Sequence, residues 1–140
     1  MDYRKFDDKY LIRLDPDDEI LASVTAFAKK ENIETGTFTG LGACKVLELG
    51  VYDVAEKVFH GETYTGAWEV NTMFGTVTQM NGEPHLHVHL SASTLGGKTV
   101  GGHLKKGVIS GTAEIMFTPL AGKAGRAVNP LTGLNDIDFE

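Results

Sequence analysis

The chain has little of what several large protein classes require. One cysteine, Cys44, excludes any intramolecular disulfide framework, and that count fits a reducing cytoplasm. Proline is scarce, at 4 residues in 140. No apolar run approaches the ~20 residues of a membrane span, and the polar, charged start at residues 1–9 does not resemble a signal peptide. Basic residues are also short: 13 Lys and Arg stand against 19 Asp and Glu, for a net charge of −6. Sequence-independent DNA binding runs on Lys and Arg that displace counterions from phosphate, so this balance disfavours nucleic acid as the main partner. A local basic patch would override it. The glycine-rich stretch Gly40-Leu41-Gly42-Ala43 lacks the lysine of a phosphate loop and the third glycine of a dinucleotide fingerprint.

Glycine itself is abundant, at 17 residues spread along the chain, which suits strands joined by tight turns better than a helical bundle. With 140 residues and a hydrophobic fraction of 41%, one domain with one core is expected over 1–140. Residues 10–14 alternate as a first strand. Asp15 then reads as a helix N-cap, with Pro16 at the first helical position and acids in the first turn. Ile20, Val24, Phe27 and Ala28 recur at helical spacing, which predicts a helix over about 16–31. Strands are expected at 35–41, 46–52, 68–78, 85–91, 98–100 and 108–118, with Gly75 marking a bulge and Asn81-Gly82 a hairpin turn. From about residue 121 the periodicity fades, and a flexible or loosely ordered tail is expected. One early helix and mostly antiparallel strands make an α+β domain.

The residues that carry chemistry are histidines. Four of the five lie between residues 85 and 103, in Pro84-His85-Leu86-His87-Val88-His89-Leu90 and Gly101-Gly102-His103. The strand period puts His85, His87 and His89 on one face and Leu86, Val88 and Leu90 on the core face. A hairpin centred on Gly96 pairs residues whose numbers average 96, so His103 falls opposite His89, with His87 beside it. Opposed residues share a face, with Cβ atoms roughly 4.5–5.5 Å apart. His87, His89 and His103 are therefore the candidate metal ligands. Imidazole suits zinc, copper, iron and nickel, and three ligands leave a position open for water or substrate. A metal held this way acidifies bound water or polarises a carbonyl. A hydrogen-bonded polar cluster and a pH-sensing group are the competing readings.

Other residues carry weaker signals. His85 shares the histidine face and is a candidate ligand-binding residue. Glu69 is a candidate catalytic acid or base, against the plainer reading of an exposed strand carboxylate. Arg13 is a candidate for binding an anionic ligand, against a surface salt bridge. Cys44 reads as a small buried hydrophobe, and His60 is given no role.

The chain resembles the PPC domain, the plants and prokaryotes conserved domain, also called domain of unknown function 296, in its stand-alone bacterial type. The motifs are Gly40-Leu41-Gly42-Ala43, Gly82-Glu83-Pro84 followed by His87-Val88-His89, Gly101-Gly102-His103-Leu104, and Asn129-Pro130-Leu131-Thr132-Gly133-Leu134. The resemblance implies an antiparallel sheet flanked by helices, similar to the acetolactate decarboxylase-like fold. It also implies a homotrimer with sites near subunit interfaces. It selects His87, His89 and His103 from the four histidines, since His85 stands where the family pattern is usually apolar. The decarboxylase holds zinc through a His-x-His pair and a later histidine, which makes zinc the expected metal here. In plants the domain accompanies AT-hook segments and serves in protein assembly, and bacterial members carry a DNA-binding label by that association. No Arg-Gly-Arg-Pro hook occurs in this chain. Two functions are thus expected: a trimeric metal site that binds a small anionic or carbonyl ligand, with or without transforming it, or a noncatalytic DNA-binding or protein-scaffolding module.

Overall fold

The structure, a computed structural model, describes residues 1–139. Strands β1 (Asp2–Phe6) and β2 (Lys9–Leu14) lead to the helix α1 (Ile20–Lys30), followed by four long strands. These are β3 (Gly36–Asp53), β4 (Val58–Met80), β5 (Glu83–Ser93) and β6 (Thr99–Pro119), and a two-stranded ribbon, β7 (Gly125–Val128) and β8 (Asn135–Asp138), ends the chain. The main sheet is antiparallel, in the order β1-β2-β6-β3-β4-β5. β5 also pairs with the start of β6, so β3, β4, β5 and β6 close on themselves at one end. His103 stands where β6 leaves β5 for β3, with His89 as its partner on one side and Gly50 on the other.

The expected α+β class holds, with one short helix rather than several flanking the sheet. Alternation explains how the strands bury one face. Ile12 and Leu14 of β2, Phe38 of β3, Met73 and Val77 of β4, Val88 and Leu90 of β5, and Ile115 and Phe117 of β6 all point into one core. α1 closes that core with Ile20, Val24, Phe27 and Ala28. Phe27 meets the rings of Tyr3, Tyr10 and Phe117 edge-on at centroid distances of 4.9, 5.0 and 5.1 Å, a favoured aromatic geometry.

Several boundaries differ from the sequence expectation, each for a tertiary reason. α1 begins at Ile20 with Glu19, not Asp15, as its N-cap, and Glu19 Oε2 accepts from Ala22 N at 2.7 Å. The residues before it are held in a turn against β6: Asp17 N donates to the Ile109 carbonyl at 3.0 Å, and Ile109 N to that of Asp18 at 2.9 Å. Pro16 and the acids thus belong to a turn that β6 claims. Residues 35–41 and 46–52 are parts of one strand bent at register shifts between Gly40 and Gly42 and between Cys44 and Val46. Residues 98–100 and 108–118 likewise join in β6.

Gly75 marks no bulge, because the β3–β4 register runs unbroken through Phe38 and Gly75. Its reason is packing: a Cβ there would lie 2.2 Å from Phe38 Cζ. Asn81-Gly82 does form the hairpin turn between β4 and β5, with φ of 55° and 81°, the positive values that such a two-residue turn requires.

The segment expected to be loosely ordered from about residue 121 carries the β7–β8 ribbon instead. Long-range bonds rather than apolar periodicity fix it. Gln79 N donates to the Ala124 carbonyl at 2.8 Å, Tyr52 Oη to that of Thr132 at 2.9 Å, and Lys57 Nζ to that of Pro130 at 2.9 Å. Among the described residues, no helix is long and apolar enough to cross a membrane.

Candidate metal centre

The histidine face of β5 forms one wall of a cavity of about 610 Å³. His85, His87, His89, His103, Lys105 and Arg126 all line it. The hairpin register is the expected one: Ser93 pairs with Thr99 and His89 with His103, while Val88 and Leu90 are buried on the opposite face. Two glycines allow β6 to approach β3 here. A Cβ on Gly102 would lie 2.5 Å from the Gly50 carbonyl oxygen, and Gly102 has φ of 152°.

The three rings converge. His87 Nε2 and His89 Nε2 are 3.2 Å apart, and one ring nitrogen from each of His87, His89 and His103 lies within 4.8 Å of the others. Nitrogens at 2.0–2.1 Å from a tetrahedral zinc stand about 3.3 Å from each other, so the His87–His89 pair already has the separation of two ligands. His103 is ringed at centroid distances of 5.1 Å by His87 and 5.7 Å by His89, and Phe59 packs on it edge-on at 5.8 Å. The donor set is three imidazoles facing open cavity space, so it fits a divalent transition metal with a position left for another ligand.

The electrostatics favour the unprotonated form of two donors, His87 and His103. Burial holds His103 down to about 4, with Lys105 and the neighbouring histidines adding to the effect. Burial also lowers His87, helped by His89, Arg126 and His85, and it lowers His85, helped by Arg126 and Lys105. A neutral imidazole offers its lone pair to a metal, which an imidazolium cannot.

The remaining candidates fall in different places. His85 lines the cavity, opposite Thr78 of β4. Glu69 does not reach it: it pairs with Ser93 and Ala43, four residues along β5 from His89, and is absent from the lining. Arg13 lies on β2 at the far side of the sheet, 57% exposed, with Nε donating to Asp15 Oδ1 at 2.8 Å. Cys44 is fully buried and burial pushes its thiol up to about 12, as suits an inert core residue.

Sequence reasoning missed Lys105 and Arg126. Lys105 was findable, since it follows His103 by two residues and the strand period returns it to the same side. Arg126 was not, because the ribbon that delivers it has no apolar repeat.

Comparison with known proteins identifies the family and the fold. The model of the Plants and Prokaryotes Conserved (PCC) domain matches residues 1–121, so Asn129–Leu134 lies beyond it. The fold superposes on a protein from Bacteroides thetaiotaomicron, named provisionally as DNA-binding, with a TM-score of 0.95 and 28% identity over 99% of this chain and 96% of that one. A metal-containing protein from Archaeoglobus fulgidus gives a TM-score of 0.86 at 24% identity, over 96% and 93% of the two chains. Acetolactate decarboxylase from Bacillus subtilis shares the fold more distantly, with a TM-score of 0.54 and 15% identity over 83% of this chain and 54% of that one. No curated protein matches. The family match over residues 1–121, a span that includes the strands holding the three histidines, places this protein in the Plants and Prokaryotes Conserved domain family.

Proposed function

We propose that the protein is a trimer whose His87, His89 and His103 hold a divalent metal, zinc by preference, and that its cavity binds a small anionic or carbonyl ligand. The convergence of three imidazoles on one wall of an open cavity carries this reading. The metal-containing relative from Archaeoglobus fulgidus supports it. When bound, the metal supplies Lewis acidity toward an oxygen of the ligand. The chain's own part is to fix the rings: the β5–β6 register sets His89 against His103, and Phe59 packs on His103.

The outer face of the sheet supports self-association. Leu11, Met116, Thr39, Phe74, His89 and His103 form one cross-strand row. Leu11, Phe74 and Met116 are 42%, 52% and 47% exposed. Exposed apolar side chains in such a row favour association, and the row's ending on His89 and His103 supports an interface beside the site.

The test is elemental analysis joined to light scattering on the untagged protein. We expect about one zinc per chain in a particle of three times 15.1 kDa. His89→Ala is expected to keep that particle and lose the metal. Metal-free wild type, even after reconstitution, would sink the metal site, and a 15.1 kDa particle would sink the trimer.

A DNA-binding reading rests on the provisional name of the Bacteroides relative. A net charge of −6 opposes it. Fluorescence anisotropy with a labelled duplex is expected to show no saturable binding near ~50 mM salt, the condition that most favours phosphate contacts. A salt-dependent affinity there would reinstate DNA as the partner.

A further inference from the structure

Arg126 brings to the histidine cavity a charge that makes no contact ion pair with a carboxylate among the described residues. Its Nε donates to Thr78 Oγ1 at 2.9 Å, one terminal nitrogen to the Asn135 carbonyl at 2.9 Å, and the other to Thr76 Oγ1 at 3.4 Å. All three acceptors are neutral. Thr76 and Thr78 are the cross-strand partners of His87 and His85, so the guanidinium lies beside the cavity histidines. These bonds engage three of its N–H groups and leave one on each terminal nitrogen.

Among the described residues, no ion pair forms with Arg126. Asp136, which also lines the cavity, favours the Arg126 charge through space without pairing with it, and its carboxylate accepts from Asn129 Nδ2 at 2.7 Å. Arg126 is partly buried, and burial disfavours its charge. Cations removed from water are ordinarily paired. Lys105 adds a second cation to the cavity, with Nζ 4.8 Å from the centre of the Phe59 ring.

We infer that Arg126 is the carboxylate-binding residue of the cavity, and that the ligand is a small organic acid with a second oxygen donor. The free N–H on each terminal nitrogen gives the guanidinium two donors to offer the two oxygens of a carboxylate. The second oxygen faces the histidine triad, since Thr76 and His87 are opposed across the same rung. This inference rests on the metal reading for its second oxygen and on Arg126 alone for the carboxylate.

The experiment titrates lactate, and its neutral amide lactamide, into zinc-reconstituted protein by calorimetry, with metal content measured on every sample. Wild type is expected to prefer lactate. Arg126→Gln is expected to bind lactate roughly 10- to 100-fold more weakly while retaining its zinc. Arg126→Lys keeps the charge but not the fork, so it is expected to recover only part of that loss. Equal binding of lactate and lactamide by wild type overturns the inference, as does unchanged lactate affinity in Arg126→Gln. Loss of the oligomer with lactate affinity intact also overturns it, by showing that Arg126 serves a subunit contact. Wild type that holds no zinc refutes the metal reading separately, and the Arg126→Gln comparison then still decides the carboxylate site. Thermal melts of each variant show that it has folded.

Discussion

Chelation is expected to lower the unfolding midpoint of the zinc-loaded wild type by about 10 °C or more, and to leave that of His103→Ala unchanged. A ligand that binds only the folded state stabilises it by mass action, by about 4 kcal/mol at a thousandfold excess over its dissociation constant. For a domain of this size each kcal/mol moves the midpoint by roughly 3–4 °C. The coupling is specific to the fold because the ligands are far apart in sequence: His87 and His89 lie on β5 and His103 on β6. Unfolding separates His103 from the pair and dissolves the site. His103 is the informative deletion, since it is the one ligand supplied by β6, where it lies opposite His89 and Gly50. Calorimetric scans with and without EDTA decide the matter. Coincident midpoints in wild type would show that no metal is coupled to folding.

Gly75→Ala is expected to destabilise the protein by about 3 kcal/mol or more, at the upper end of overpacking costs. The new Cβ would meet three atoms of the Phe38 ring at 2.2, 2.5 and 2.8 Å. That ring has little room to yield, because it is buried and stacked on Phe117 at a centroid distance of 6.0 Å and an interplanar angle of 11°. Phe38→Ala is costly by itself, since it opens a cavity. In Phe38→Ala protein, however, the added methyl fills space rather than colliding, so the second change is expected to cost little. Urea melts of the four proteins in this double-mutant cycle measure the coupling. Additive losses would mean that the clash is relieved elsewhere and that the glycine is needed for its backbone instead.

Periodicity and turn chemistry made much of the molecule legible. His85, His87 and His89 could be assigned to one face because strand side chains alternate, and Val88 and Leu90 could be given to the core for the same reason. Asn81-Gly82 announced its turn because few residues accept positive φ in succession. The pairing of His89 with His103 followed from symmetry about Gly96. In each case the information is local, or lies within one hairpin, and the physical rule connects near neighbours.

What the sequence did not disclose depends on contacts between distant segments. The helix start moved from Asp15 to Glu19 because β6 competes for the backbone of residues 17–18. Gly75 looked like a bulge because only the fold sets Phe38 across from it. Glu69 and the histidines belong to the same sheet, but the register separates them. Arg126 lies some twenty residues beyond the last histidine, in a ribbon without apolar rhythm, and it reaches the cavity only because Thr76, Thr78 and Asn135 accept its hydrogen bonds. The sequence by itself therefore determined a strand-rich domain and a three-histidine cluster, through alternation and hairpin symmetry. Tertiary structure alone decided which charged groups share the cavity with that cluster, because side chain–backbone and cross-strand bonds between remote segments leave no period in the chain.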